Sequence, residues 1–359
     1  MDKETVEIIV KDNKVSKRVL YYDILNILAI FAVIALHCNG VVHKYNASNQ
    51  RAWATSLIVE VLFYWAVPIF VMLTGATLMK YRDKYDTKTF FKKRVLKVLV
   101  PFIFWAIIMF IWKYQTTQLK INEFTIRNIL NMFFANKEEA IYYFMFVILG
   151  VYLTMPLLSI LSDNKYRNVC WYTVIAFFIT KSLIPVILSI FKISYNNDLS
   201  IQIGTYVIFP LLGYLLSTQD LTKKQRILIY ILGFLSVCFR YGYIYYFTVS
   251  SGQLNNTVNG YQTFHSVLLA CAVFVFVKQL KLKKINNNLK LKKIIADIAG
   301  CSFGIYLIHK IIMHYEIKLF DINVYSWQWR VFGIFTTYFI CLGIVFVLKK
   351  IPFVKKVLP

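Results

Sequence analysis

The sequence predicts an all-α, polytopic membrane protein of about ten transmembrane helices, with both termini in the cytoplasm. Three observations carry this. Hydrophobic residues make up 58% of the 359 and charged residues only 16%, whereas soluble domains carry about 25% charge. The apolar residues come in long runs parted by short basic clusters, and a run of roughly 20 suffices to cross a bilayer as a helix. Finally, Lys and Arg alternate from loop to loop. The tails and every second loop, with their span edges, hold 29, and the remaining loops hold nine. Basic residues stay on the cytoplasmic side, so the tails belong there. This bias accounts for the formal net charge of +24 without any nucleic-acid partner.

The runs follow in order. Residues 19–41 hold Asp23, Asn26 and His37. Residues 53–79 carry Glu60 and Pro68, and residues 98–115 hold Pro101. Residues 141–161 contain Pro156, and residues 168–191 contain Lys181 and Pro185. Residues 201–217 hold Pro210, 226–248 carry Arg240, 261–278 carry His265 and 296–315 carry His309. Residues 331–349 complete the set. Proline is tolerated in such spans because neighbouring helices re-satisfy the freed carbonyls. The first 18 residues are charged and lack the apolar stretch of a cleavable signal. The expected organisation is one membrane domain, 19–349, between cytoplasmic tails 1–18 and 350–359. The six cysteines have no CxxC or metal-ligand spacing and are expected to pack as small apolar residues. No metal and no tightly bound cofactor is expected.

Asn26 and His37 are eleven residues apart, about three helical turns, so they share a face with Asp23. Ionisable groups in a membrane helix normally face a protein interior or a wet cavity. Helix rise puts Glu60, Arg240, His265 and His309 within ~6–12 Å of the outer boundary, the half that also holds His37. A carboxylate could orient an imidazole there and raise its basicity for general-base work, which makes Glu60 the expected partner of His37. Arg240 and His265 lie near enough to the surface to snorkel. In "KTFFKKRVLKVLVPF", Lys92, Lys93 and Arg94 share a turn before the third span. They can signal topology, contact membrane lipid headgroups, or hold the phosphates of a cytoplasmic ligand.

Five stretches in order resemble the acyltransferase-3 family, integral-membrane enzymes that acylate surface polysaccharides and related acceptors. They are "DILNILAIFAVIALH", "VPIFVMLTGATLM", "FFKKRVLKVLVPFIFW", "YVIFPLLGYLL" and "SFGIYLIHKIIM". The resemblance implies acyl-CoA, acetyl-CoA above all, as cytoplasmic donor. It implies a hydroxyl of a surface polysaccharide or lipid-linked glycan as acceptor. His37 matches the family's essential first-helix histidine. Asn26 stands where the family has arginine, Thr74-Gly75 replaces Ser-Gly, and Ile141 stands where related polysaccharide acyltransferases open with histidine.

The expected activity is therefore O-acyl transfer at a bacterial cell membrane. His37 would be general base or acyl carrier and Glu60 its orienting partner. Lys92, Lys93 and Arg94 would hold the donor phosphates, with Asp23 and Asn26 lining the inner donor path. Arg240 and His309 would contact substrate. A non-enzymatic glycan or lipid transporter, or a degenerate acyltransferase serving envelope machinery, would use the same polar groups differently.

Overall fold

A computed structural model describes residues 18–118, 125–136, 139–196, 198 and 200–358. Among them every regular element is helical. Eight helical stretches are long and apolar enough to cross a membrane. Two further apolar helices, Ile208–Thr218 and Phe264–Lys278, correspond to the predicted runs 201–217 and 261–278 but are shorter. The expected tail 1–18 lies outside the described residues except for Arg18.

Helix α1 (Leu20–Cys38) has 19 residues, about 28 Å at 1.5 Å per residue. That matches the ~30 Å hydrocarbon thickness. It is central. Leu25, Ala29, Ile30, Ala32, Ile34 and Ala35 are wholly buried, and the helix packs on several others. The second run is two helices, α2 (Gln50–Phe63) and α3 (Ala66–Leu78), broken at Tyr64 and Trp65. Pro68 explains the break. It has no N–H to give the carbonyl of Tyr64, and its ring crowds that carbonyl.

Helix α4 (Thr87–Arg94) starts at Asp86, whose carboxylate accepts the Thr89 amide at 3.1 Å. Hydrogen bonds from Thr89 hold that exposed carboxyl below its ordinary range. A π-helical segment, Val95–Leu99, leads into α5 (Val100–Gln115). Helix α6 (Ile126–Phe134) was expected as loop. Ile126 is 79% and Phe134 69% exposed, while Phe133 packs against Phe102 and Phe146. Helix α7 is Tyr143–Leu158. Next comes α8 (Arg167–Phe177), which passes through a second π segment, Phe178–Leu183, into α9 (Ile184–Ile190). Both π segments contain the residue four before a proline, Lys97 before Pro101 and Lys181 before Pro185. The wider turn moves the carbonyl that the proline ring would strike.

Helix α10 (Ile208–Thr218) starts later than the run 201–217 predicts. The chain before it is irregular, with Gly204 at φ +102°. Short as it is, α10 is buried from Ile208 to Leu216. It crosses α3 backbone to backbone. A Cβ on Gly75 would lie 1.9 Å from the Pro210 carbonyl oxygen, and one on Gly213 would lie 1.9 Å from that of Met72. The two glycines, each in a stretch of the family resemblance, permit a crossing that no larger residue allows.

Helix α11 (Lys223–Ser251) begins with a Thr222–Gln225 capping box and ends at Gly252, φ +69°. Helices α12 (Phe264–Lys278), α13 (Leu289–Leu319) and α14 (Trp327–Leu348) complete the bundle. Five of the six cysteines are buried free thiols and Cys238 is exposed.

Candidate active site

Three features bring the wall of one cavity together. The α2–α3 break places Tyr64 beside Glu60. Residues Ala140–Tyr142 form a short 3₁₀ turn before α7, and two reciprocal bonds strap it to α13. Tyr142 donates its hydroxyl to the Leu307 carbonyl at 3.0 Å, and Tyr306 donates to the Ile141 carbonyl at 2.7 Å. The loop before α12 then supplies Asn259 and Tyr261.

The cavity holds about 170 Å³, and His37, His43, Glu60, Tyr64, Tyr143 and Tyr261 are among its lining. Ile141, Tyr306 and Asn259 also border it. Ile141, where related enzymes carry histidine, is thus an apolar part of the same wall. Tyr64 and Tyr261 stack at 4.3 Å between ring centres. The wall is largely aromatic, with a few converging polar groups, as small-molecule sites commonly are.

His37 is half-buried and faces this space. Its ring centre is 5.2 Å from that of His309. His309 is fully buried, and its Nδ1 lies 2.7 Å from the Tyr306 carbonyl. A carbonyl only accepts, so Nδ1 carries the proton and Nε2 of the neutral ring is an acceptor. That Nε2 has no hydrogen-bond partner among the described residues.

Glu60 was expected beside His37 as its orienting group. It lines the same cavity, but its ion pair is with Arg240, at 3.5 Å. Arg240 does not snorkel. It is 1% exposed, it donates to the Asn259 side-chain oxygen at 3.1 Å, and its guanidinium lies 3.5 Å over the Tyr64 ring. Its length lets it turn inward because a carboxylate, an amide and an aromatic face meet it there. His265 does not snorkel either. It is buried, with Nε2 2.8 Å from the Val258 carbonyl.

The N-terminal end of α1 is built differently from the expected open path. Asp23 is buried and paired with Arg18, whose Nε donates at 2.9 Å. Asn26 donates its side-chain amide to the Ala299 carbonyl of α13 at 3.1 Å. Asp23 does border a cavity of about 510 Å³, together with Arg18, Lys80, Lys84 and Thr77. Lys92, Lys93 and Arg94 are not part of that lining. Lys92 is exposed, Lys93 sits 3.6 Å over the Tyr85 ring, and Arg94 lies near the rings of Phe90 and Tyr152.

The sequence model of the acyltransferase 3 family, an acyltransferase domain, matches residues 19–346. The chain belongs to the acyltransferase 3 family. No curated protein and no solved structure matches it. Family membership makes it a membrane protein with an acyltransferase role, and the cavity at His37 holds the residue that the family resemblance singles out. His43, Tyr64, Tyr143, Asn259 and Tyr261 were not expected at the site. Tyr64 comes from a helix break, Tyr143 from the first residue of α7, and His43, Asn259 and Tyr261 from the connections between helices, where no periodic signal marks them.

Proposed function

We propose that this protein transfers an acyl group, acetyl in the first instance, from acyl-CoA to a hydroxyl of a cell-surface glycan or its lipid-linked precursor. The single observation that carries the reading is His37: an imidazole facing an aromatic-walled cavity and backed by a second, fully buried histidine. His37 takes the proton of the acceptor hydroxyl as its oxygen attacks the thioester carbonyl. The C–S bond breaks, and the CoA thiolate leaves and takes up the proton. General-base help of this kind is worth about 10²–10⁴ in rate. His309 is a positioning residue. Its bare Nε2 can accept from the N–H of His37, which leaves the other His37 nitrogen free for the hydroxyl. The Glu60–Arg240 pair holds Tyr64, and with it one side of the pocket.

For the donor, the cavity beside Asp23 is the better receptor for the CoA phosphates. Lys80 and Lys84 line it beside the Arg18–Asp23 pair and Asp83, whereas Lys93 and Arg94 already lie over aromatic rings. Charge-assisted contacts to phosphate are the strong ones. Because they lie far from the reacting carbonyl, they act as uniform binding. The test is purified protein in detergent with labelled acetyl-CoA. Binding and slow hydrolysis, both weakened by Lys80→Gln with Lys84→Gln, support the reading. Protein that binds no CoA refutes it and leaves a transporter as the account of the cavity.

A further inference from the structure

A third cavity, about 640 Å³, opens where α1 ends, between the first turns of α2 and α14. Arg330 forms part of its wall and is 9% exposed. Its Nε donates to the Tyr325 carbonyl at 3.3 Å. Its Nη1 donates to the Ala52 carbonyl at 2.9 Å, to the Ser56 hydroxyl at 3.3 Å and to the Thr55 hydroxyl. Every partner is neutral. Among the described residues no carboxylate pairs with it. Its Nη2 makes no hydrogen bond there and is not sealed from the cavity. A buried cation without a counter-charge is costly unless something neutralises it.

We propose that this cavity binds the anionic substituent, carboxylate or phosphate, of a carbohydrate, with Arg330 Nη2 as the charged donor. The rest of the lining fits that class. Arg51, exposed, adds a second positive charge at the mouth, and Tyr325 and Trp327 offer aromatic faces on which the apolar face of a sugar ring can rest. Ser48 and Asn49 supply a hydroxyl and an amide. Ser326 caps α14, so the positive end of that helix borders the site.

The cavity is also tied to His37. Asn39, two residues on, accepts from the Ser56 hydroxyl at 3.2 Å and donates at 3.0 Å to the carbonyls of Ala35 and Arg330. The anion site and the end of α1 that bears His37 are therefore held by one network. A glycan anchored by its charge would present its neighbouring hydroxyls at that end. Naming the ligand as acceptor rests on the acyltransferase reading; the binding itself does not.

The test is equilibrium binding to the purified full chain in detergent, with no acyl donor present. The probes are trigalacturonate, its neutral methyl ester and short-chain phosphatidylglycerol. The expected result is binding of trigalacturonate, with the ester at least tenfold weaker. Arg330→Lys, Arg51→Gln and Trp327→Ala should each weaken the acid, and His37→Ala should leave it unchanged. Arg51 and Trp327 are exposed, so their variants remain informative where Arg330→Lys fails to fold. Equal binding of acid and ester, no binding of either, or binding of the lipid alone would each overturn the proposal. His37→Ala protein that binds the acid and transfers nothing supports both readings, whereas full transfer by that variant would refute the catalytic reading and leave the binding result standing.

Discussion

Glu60 and Arg240 show how a residue finds its role from its surroundings. Each is costly in a bilayer, and each is buried against the other. Removing one charge from such a pair typically costs about 3–5 kcal/mol, because the other is left unpaired. Glu60→Gln and Arg240→Met should each lower the thermal unfolding temperature in detergent. The double variant should recover a good part of the loss. Losses that simply add would mean the two groups act independently. His309→Phe keeps a ring in the same volume and removes the acceptor that faces His37. It should leave the unfolding temperature near that of the parent and slow acyl transfer by about 10² or more. Unchanged transfer would show that His309 only fills space.

At the scale of elements, the α3–α10 crossing is the most constrained contact. Gly75→Ala and Gly213→Ala each push a methyl into a backbone carbonyl, and overpacking of this kind costs about 1–3 kcal/mol or more. The same separation of helices relieves both clashes, so the double variant should lose less than the sum of the two. Thermal unfolding of the three variants decides it. The elements also show what the sequence could say. Length and apolarity placed every long span, because a membrane helix must satisfy its own backbone. The spacing of Ile126, Ile129, Leu130 and Phe133 carries the signal for α6, but the stretch is too short to cross and falls between spans. The break at Tyr64 is implied by Pro68 once a proline four residues on is read as a lost hydrogen bond. What Glu60 would pair with was not legible. Depth along a helix fixes height but not azimuth, so the sequence pairs Glu60 with His37 and leaves Arg240 to snorkel, and only the placed helices bring Arg240 to Glu60.

For the whole molecule, charge alternation sets the expected orientation, and the cavities beside Asp23 and Arg330 take their sides from it. With Cys238, the exposed native thiol, changed to serine, a cysteine at Gln253 should react with an impermeant reagent on intact cells. One at Lys290 should not. Both positions are exposed in the structure. The reverse pattern would exchange the donor and acceptor faces. The proposed acyl transfer rests on His37 in its aromatic cavity. Its most direct test is the O-acetyl content of the surface glycan in cells whose own gene is replaced by the parent or by His37→Ala, at matched membrane levels. The His37→Ala cells should match a gene deletion while the protein stays folded and inserted. An O-acetyl content equal to that of the parent would contradict it.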